Sequence, residues 1–256
     1  MTQWTRKIIE RARFTTPHYR CSYLPGRTAA LAYRVITDLP IRAYDELLRR
    51  GWRRFGCEFF RPTCPACVQC RSLRIPIGEF TPSRSQRRAL RQNAEIHVVV
   101  QAPTVTTVHL RIFNAYHADM HRRKGWPFHF TDERAYRQQF LLGEWAFARE
   151  FLYYEGERLV GVGLADVTDT ALSSVYFFHD PAWRPRAPGV FSILRQWAFA
   201  QQQGLRYHYL GYWVPGSPSM DYKAQYRPHE LLVGYPADTE EPLWIRPETE
   251  RPSGGA

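Results

Sequence analysis

Apolar residues recur at helical spacing in some stretches of this chain and alternate in others, and the switches mark its elements. In IRAYDELLRRGWRR (41–54), Ile41, Tyr44, Leu47 and Leu48 fall on one helical stripe, and Arg49, Arg50, Arg53 and Arg54 make a basic opposite face. Gly51 is expected to end the helix or weaken it. In TPSRSQRRALRQN (81–93), Ser83 or Ser85 is placed to cap a helix after Pro82. IHVVVQ (96–101) reads as a strand. TVHLRIFNAYHADMHRR (107–123) puts Leu110, Phe113 and either Ala115 or His117 on one stripe, and DERAYRQQFL opens on acids, as a helix N-terminus should.

From Ala148 to Asp180 the pattern predicts three antiparallel strands, with turns at Glu155-Gly156-Glu157 and at 166–170. A Pro/Arg loop, PAWRPRAPG, leads into the helix VFSILRQWAFAQQQG, closed by Gly204. The strand LRYHYLGY follows, then the loop WVPGSPSMDYKAQYRPHE and a last strand, LLVGY. Strands, loop, helix, strand is the order of the Gcn5-related acyltransferase (GNAT) core. The expectation is therefore an α/β (α+β) fold. It has a Cys/Arg-rich module at 1–95, a GNAT-like domain at 96–238 and a flexible, acidic, Pro-rich tail at 239–256. Fold order alone does not fix function.

Composition adds a partner class. The 256 residues are 44% hydrophobic and 15% aromatic, enough for a sizeable core and for stacking surfaces. A net charge of +11 points to a polyanion, RNA or DNA, as partner, with a generic Arg-rich soluble surface as the plain alternative. The N-terminus has no apolar signal region and no stretch has the length of a membrane helix, so a cytoplasmic protein is expected. Thiols there stay reduced, which turns clustered cysteines toward metal or redox chemistry.

Cys64, Cys67 and Cys70 form C-x2-C-x2-C. A ferredoxin pattern would continue with x3-C-P, and Arg71-Ser72-Leu73 breaks it. A tetrahedral site needs a fourth ligand: Cys21 and Cys57 are candidates, with His18 behind them, for zinc or an iron–sulfur cluster. Buried free thiols are the plain alternative. Arg84, Arg87 and Arg88 sit in the densest basic run and suit phosphate contacts, unless they are only a solvated face. Arg184 and Arg186 precede a helix N-terminus, where anions bind. The stretch WRPRAPGVF has two prolines and one glycine, a poor cradle for coenzyme A, and a carrier's terminal phosphate is the other option. Tyr207, Tyr209, Tyr212, Trp213, Tyr222, Lys223 and Tyr226 crowd one region, as either a polar pocket or aromatic core. No Ser-His-Asp set, HExxH or Walker loop is evident.

Four stretches carry a specific resemblance: CSYLPGRTA, FRPTCPACVQCRSLRIPIGEFTPSRSQRRALRQN, SSVYFFHDP and YLGYWVPGSPSMDYKAQYRPHELL. In order and spacing, from about residue 10 to residue 236, the chain resembles the bacterial aspartate/glutamate leucyltransferases. These are leucyl-tRNA–protein transferases similar to the eukaryotic arginyl-tRNA–protein transferases. The resemblance implies transfer of Leu from Leu-tRNA to the α-amine of proteins beginning with Asp or Glu, marking them for degradation. It implies no need for ATP or coenzyme A, because the aminoacyl ester is already activated. It also implies an N-terminal module whose Cys21, Cys64, Cys67 and Cys70 hold a cluster or metal. Cys57 and RPRAPGVF depart from the family pattern. Arginyl transfer, an acetyl-CoA-dependent GNAT enzyme and a non-enzymatic zinc-containing RNA-binding protein stay open.

For this reaction Tyr222 and Lys223 are the expected catalytic groups, with Tyr212 and Asp180 next. Arg27, Arg61 and Arg74, or Lys223 itself, are expected to hold the acceptor's carboxylate. Tyr209 and Trp213 are expected to line the substrate site.

Overall fold

The predicted stripe at Ile41, Tyr44, Leu47 and Leu48 folds as a helix, α1 (Ile41–Arg49), with Tyr44, Leu47 and Leu48 buried against a small sheet. The computed structural model of the protein describes residues 8–247. That small sheet is antiparallel. It comprises β1 (Ile9–Thr15), β4 (Leu31–Asp38), β5 (Arg53–Phe55) and β6 (Glu58–Pro62), in the order β1-β4-β6-β5. A two-residue ribbon, β2 (Tyr19–Arg20) with β3 (Thr28–Ala29), carries the turn that holds Cys21.

The basic helical face at residues 49–54 does not form. Helix α1 stops at Arg49, Gly51 takes φ +81°, and the chain re-enters as a strand. Arg53 and Arg54 then point inward and are 7% and 4% exposed. Arg54 forms an ion pair with the fully buried Asp166, which also accepts from Tyr44 Oη at 2.6 Å. A buried charge needs such a partner.

The large sheet has eight strands in the order β14-β13-β7-β12-β11-β10-β9-β8. Its antiparallel run is β8 (Ile96–Gln101), β9 (Ala148–Glu155), β10 (Arg158–Val167) and β11 (Ala171–His179). Helix α2 (Arg84–Gln92) precedes β8, and Ser83 caps it in a capping box with Gln86. Between β8 and β9 lie α3 (Thr107–Lys124), α4 (Glu133–Tyr136) and a π-turn at Arg137–Leu141, so the acidic-start helix is shorter than its pattern predicted.

A crossover helix, α5 (Pro188–Gln202), leads to β12 (Tyr207–Trp213), which runs parallel to β11. Beyond it stand β7 (Arg71–Pro76), β13 (Glu230–Leu232) and β14 (Trp244–Ile245). An antiparallel meander, a crossover helix and one parallel strand are the GNAT-like order expected from the sequence. Helix α5 packs on one face of the sheet, and α3 and α4 pack on the other.

Two expected boundaries shift. Strand β7 belongs by sequence to the 1–95 module, yet it pairs with β12 and β13 inside the large sheet. Part of the presumed loose tail, Trp244–Ile245, pairs with β13, while residues 248–256 lie outside the described residues. Among the described residues no helix is long and apolar enough to cross a membrane.

Candidate active site between two diverging strands

Strands β11 and β12 pair only at Ala171–Tyr207, Leu172–His208 and Ser173–Tyr209. Beyond these residues they part, and a cavity of about 1130 Å³ opens between them. Ser174, Val175, Tyr176 and Phe177 line one side, and Leu210, Gly211 and Tyr212 the other. The start of α5, the end of α3 and the segment carrying Tyr222 and Lys223 complete the wall. A register shift between Tyr209 and Gly211 helps β12 peel away, and Gly211 sits at φ +82°.

Lys223 lies on a short 3-10 turn, Asp221–Gln225, and is 7% exposed. Its Nζ donates to the Tyr212 carbonyl oxygen at 2.7 Å and lies 3.7 Å from Met220 Sδ. Burial, with the Arg53 charge adding to it, lowers its pKa to about 7. The amine is therefore substantially neutral near pH 7 and free to take a proton. Tyr222 lines the same cavity; although the residue is 41% exposed, the crowding around its hydroxyl pushes it up to about 12, so it stays a donor.

Tyr176 adds a third polar group, one that sequence inspection missed. Its hydroxyl bonds His117 Nε2 at 2.9 Å, and His117 Nδ1 lies 2.9 Å from the Phe113 carbonyl oxygen. The carbonyl can only accept, so Nδ1 carries the proton, Nε2 accepts, and the Tyr176 oxygen keeps its lone pairs for the cavity. Burial lowers the His117 pKa, which holds that neutral tautomer.

Several expected site residues are placed elsewhere. The Tyr212 hydroxyl donates to the carbonyl oxygens of Gly51 and Phe60, so it is a wall and its backbone is the anchor for Lys223. Asp180 caps the Pro181–Arg186 turn by accepting from Ala182 N at 2.9 Å, and it does not line the cavity. Tyr209 is buried behind the cavity and accepts from Arg74, and Trp213 donates to Asp221.

The expected carboxylate receptors are also redistributed. Arg61 stacks on Trp52 with 4.6 Å to the ring centroid and donates to the Pro236 carbonyl oxygen at 2.9 Å. Arg74 pairs with Glu230 at 2.8 Å and lies between Tyr207 and Trp244. Arg27 is exposed on the Cys21 turn, away from the cavity. Arg184 pairs with Asp119, and Arg186 pairs with Glu95 and Glu155, so neither is a free anion receptor. The loop that carries them is anchored by Trp183. Its Nε1 donates to Asn93 at 2.7 Å, and its ring packs so closely on Gly161 that a Cβ there would stand 2.7 Å away. Arg84, Arg87 and Arg88 are exposed along α2, outside the cavity, with no ion pair among the described residues.

The cysteines gather beside the cavity. Cys70 packs with Tyr212 and Val214, and its thiol is pushed up to about 12 by burial and then by Cys64, Cys21 and Cys67. Cys21 Sγ accepts from the backbone N–H of Tyr23 and of Leu24, each at 3.4 Å. Four thiols with amide donors suit a thiophilic metal in kind. Yet among the described residues no three His, Cys, Asp or Glu side chains stand close enough to hold an ion. Cys57 lies apart, in the core around α1.

The chain matches the family described as "Arginine-tRNA-protein transferase, N terminus" over residues 19–88, and "Arginine-tRNA-protein transferase, C terminus" over 108–233. The aspartate/glutamate leucyltransferase of Helicobacter hepaticus is 37% identical over 88% of this chain and 93% of its own length. Its namesakes in Campylobacter jejuni and Halorhodospira halophila are 36% and 37% identical over 86% and 88% of this chain, covering 92% and 97% of their own lengths. The crystal structure of FemX is a loose likeness, with a TM-score of 0.46 at 11% identity over 85% of this chain and 83% of that one. With near-full-length relatives above 35% identity and both halves matched, the chain belongs to the aspartate/glutamate leucyltransferase family of tRNA-protein transferases.

Proposed function

We propose that this protein transfers Leu from Leu-tRNA to the α-amine of proteins that begin with Asp or Glu. The observation that carries this reading is Lys223: a buried amine, its pKa lowered to about 7, in a cavity whose walls, among the described residues, include no Asp or Glu. Aminolysis of an activated ester needs only positioning and proton transfer.

In the proposed reaction the acceptor's neutral α-amine attacks the carbonyl carbon of the aminoacyl ester, and the carbonyl oxygen becomes an oxyanion. Lys223 takes the proton released from the attacking nitrogen. The ester C–O bond then breaks, and the ribose oxygen leaves with the proton that Lys223 returns. A peptide bond and free tRNA result, so atoms balance without ATP. Tyr222 supplies a donor for the oxyanion, and Tyr176 supplies lone pairs that accept a hydrogen bond from the incoming α-amine, which reaches its neutral form by giving its first proton to solvent before attack.

The tRNA body is proposed to lie along α2, where Arg84, Arg87, Arg88 and Arg91 are exposed. Arg123 and Lys124, at the end of α3, line the cavity mouth and suit the phosphates of the acceptor end. The cysteine module, joined to the cavity through Cys70 and Tyr212, is proposed to hold zinc or an iron–sulfur cluster in a structural role. The deciding assay measures transfer of labelled Leu and labelled Arg from their tRNAs to peptides beginning with Asp, Glu or Ala. Transfer of Leu to Asp and Glu peptides alone is expected, and absence of any transfer refutes the reading.

A further inference from the structure

Arg53 is a buried guanidinium with no carboxylate partner among the described residues. It is 7% exposed. Its Nη1 donates to the Trp52 carbonyl oxygen at 3.1 Å and its Nη2 to Ser72 Oγ at 2.6 Å, while the Nε–H has no partner. The rest of its support is the faces of Tyr209 and Tyr212, at 5.1 and 5.8 Å to the ring centroids.

The other cations of the cavity are accounted for. Arg54 is neutralised by Asp166. Arg123 and Lys124 are exposed and stay hydrated. Lys223 relieves its burial by giving up its proton, an escape closed to a guanidinium. A buried charge held only by neutral acceptors and ring faces is costly unless an anion arrives.

Position narrows the anion. A Cβ on Gly211 would lie 3.6 Å from Lys223 Nζ and 3.9 Å from Arg53 Nε, so the Lys223 amine and the Arg53 guanidinium flank the same small space. A molecule whose amine reacts beside Lys223 and which carries a carboxylate one or two methylenes away would span them. We propose that Arg53 receives the side-chain carboxylate of the acceptor's first residue and so selects Asp and Glu over their amides. This inference rests on the transfer reading above.

The test uses the full-length protein, Leu-tRNA and peptides beginning with Asp, Glu, Asn or Gln. Wild type should leucylate the acidic peptides only. Arg53→Gln should lower kcat/KM for Asp and Glu peptides by about a hundredfold or more, as expected on losing a buried charged partner. The KM for Leu-tRNA should stay unchanged, and the preference for Asp over Asn should collapse. A folded Arg53→Gln enzyme that keeps the Asp-to-Asn ratio, or that instead raises the KM for Leu-tRNA, overturns the assignment and gives Arg53 to the tRNA end. Arg53→Lys keeps the charge on a shorter reach and serves where the Gln variant does not fold. Its preference should move from Asp toward the longer Glu, and an unmoved ratio overturns the assignment. Absence of transfer by wild type refutes the parent reading together with this one.

Discussion

Lys223 and the backbone of Tyr212 form the joint on which the site turns: the amine donates to the Tyr212 carbonyl oxygen at 2.7 Å, eleven residues back along the chain. That bond fixes the 3-10 turn of Lys223 to the strand that diverges from β11. It uses a proton of the amine and leaves the lone pair free. The same strand brings Gly211 and Tyr212 against Arg53, whose charge adds to burial in lowering the Lys223 pKa.

The pH dependence of turnover follows from that pKa. With Lys223 near 7, kcat should rise with pH through about 7 and then level off, because the base must be neutral to accept the proton. Lys223→Met should lower kcat by about a hundredfold or more and abolish that limb. Single-turnover rates between pH 5.5 and 9 check this. A variant with the same profile as wild type would remove Lys223 from proton transfer.

Stability should respond to the same group with a defined sign. The folded pKa, about 7, is below the ordinary value of 10.5. Between these two values an unfolded chain binds a proton at Lys223 that the folded chain does not. Stability therefore rises with pH from about 7 toward about 10 from this group, and below 7 the penalty for burying the charge is at its full value. Lys223→Met should unfold at higher urea than wild type at pH 6, and the gap should narrow by pH 9. An equal gap at both pH values would show that the lysine is not buried as a strained base.

How much of this was legible in the sequence varies with the length scale of the cause. The β9–β10–β11 meander, α5 and β12 were readable because local alternation, Gly-bearing turns and a Gly stop set them. Strands β1 and β4 passed unread. Arg-rich alternation such as ERARFT gives little apolar signal, and their pairing joins residues as far apart as Ile9 and Asp38. Tyr222 and Lys223 were found through their crowding with other aromatics. Arg53 looks like part of a basic helical face in the sequence because the turn at Gly51, which flips it inward, closes against Leu232 and Tyr235 far along the chain. Arg61, Arg74, Arg184 and Arg186 look like free cations in a sequence because their partners, Trp52, Glu230, Asp119 and Glu155, are mostly remote.

The buried trio of Tyr44, Arg54 and Asp166 should matter for folding and not for chemistry. Asp166→Asn or Arg54→Met leaves one charge buried alone or nearly so, which costs about 3–5 kcal/mol. Tyr44→Phe removes a 2.6 Å bond and should cost about 1–2 kcal/mol. Denaturant titration measures both. Losses within about 0.5 kcal/mol of zero would mean that the trio is open to water.

If α2 carries the tRNA, its arginines should act through affinity alone. Replacing Arg84, Arg87 and Arg88 together by Gln should raise the KM for Leu-tRNA and reduce the dependence of that KM on log salt by about one unit per lost phosphate contact. The kcat and the melting temperature should hold, since none of the three is in an ion pair with the rest of the described chain. An unchanged salt slope would move the tRNA body to another face.

The cysteine module is open to a direct measurement. Burial first, and then the neighbouring Cys64, Cys21 and Cys67, push the free thiol of Cys70 up to about 12. A bound cation reverses that balance by favouring thiolates. If the module holds a cation, its thiols must draw closer together than they stand here, and protein purified without oxygen should contain zinc, or iron with sulfide, and release protons as metal is restored to the apo form. Cys21→Ser and Cys67→Ser should lose the metal. Cys57→Ser should keep it, because Cys57 lies in the apolar core with Leu47 and Phe59. Because Cys70 packs on Tyr212, metal loss should also loosen the strand that anchors Lys223, shifting the pH limb of kcat upward as water reaches the amine. Fresh protein free of zinc, iron and sulfide would leave Cys21, Cys64, Cys67 and Cys70 as thiols, and their part in the site would then be packing alone.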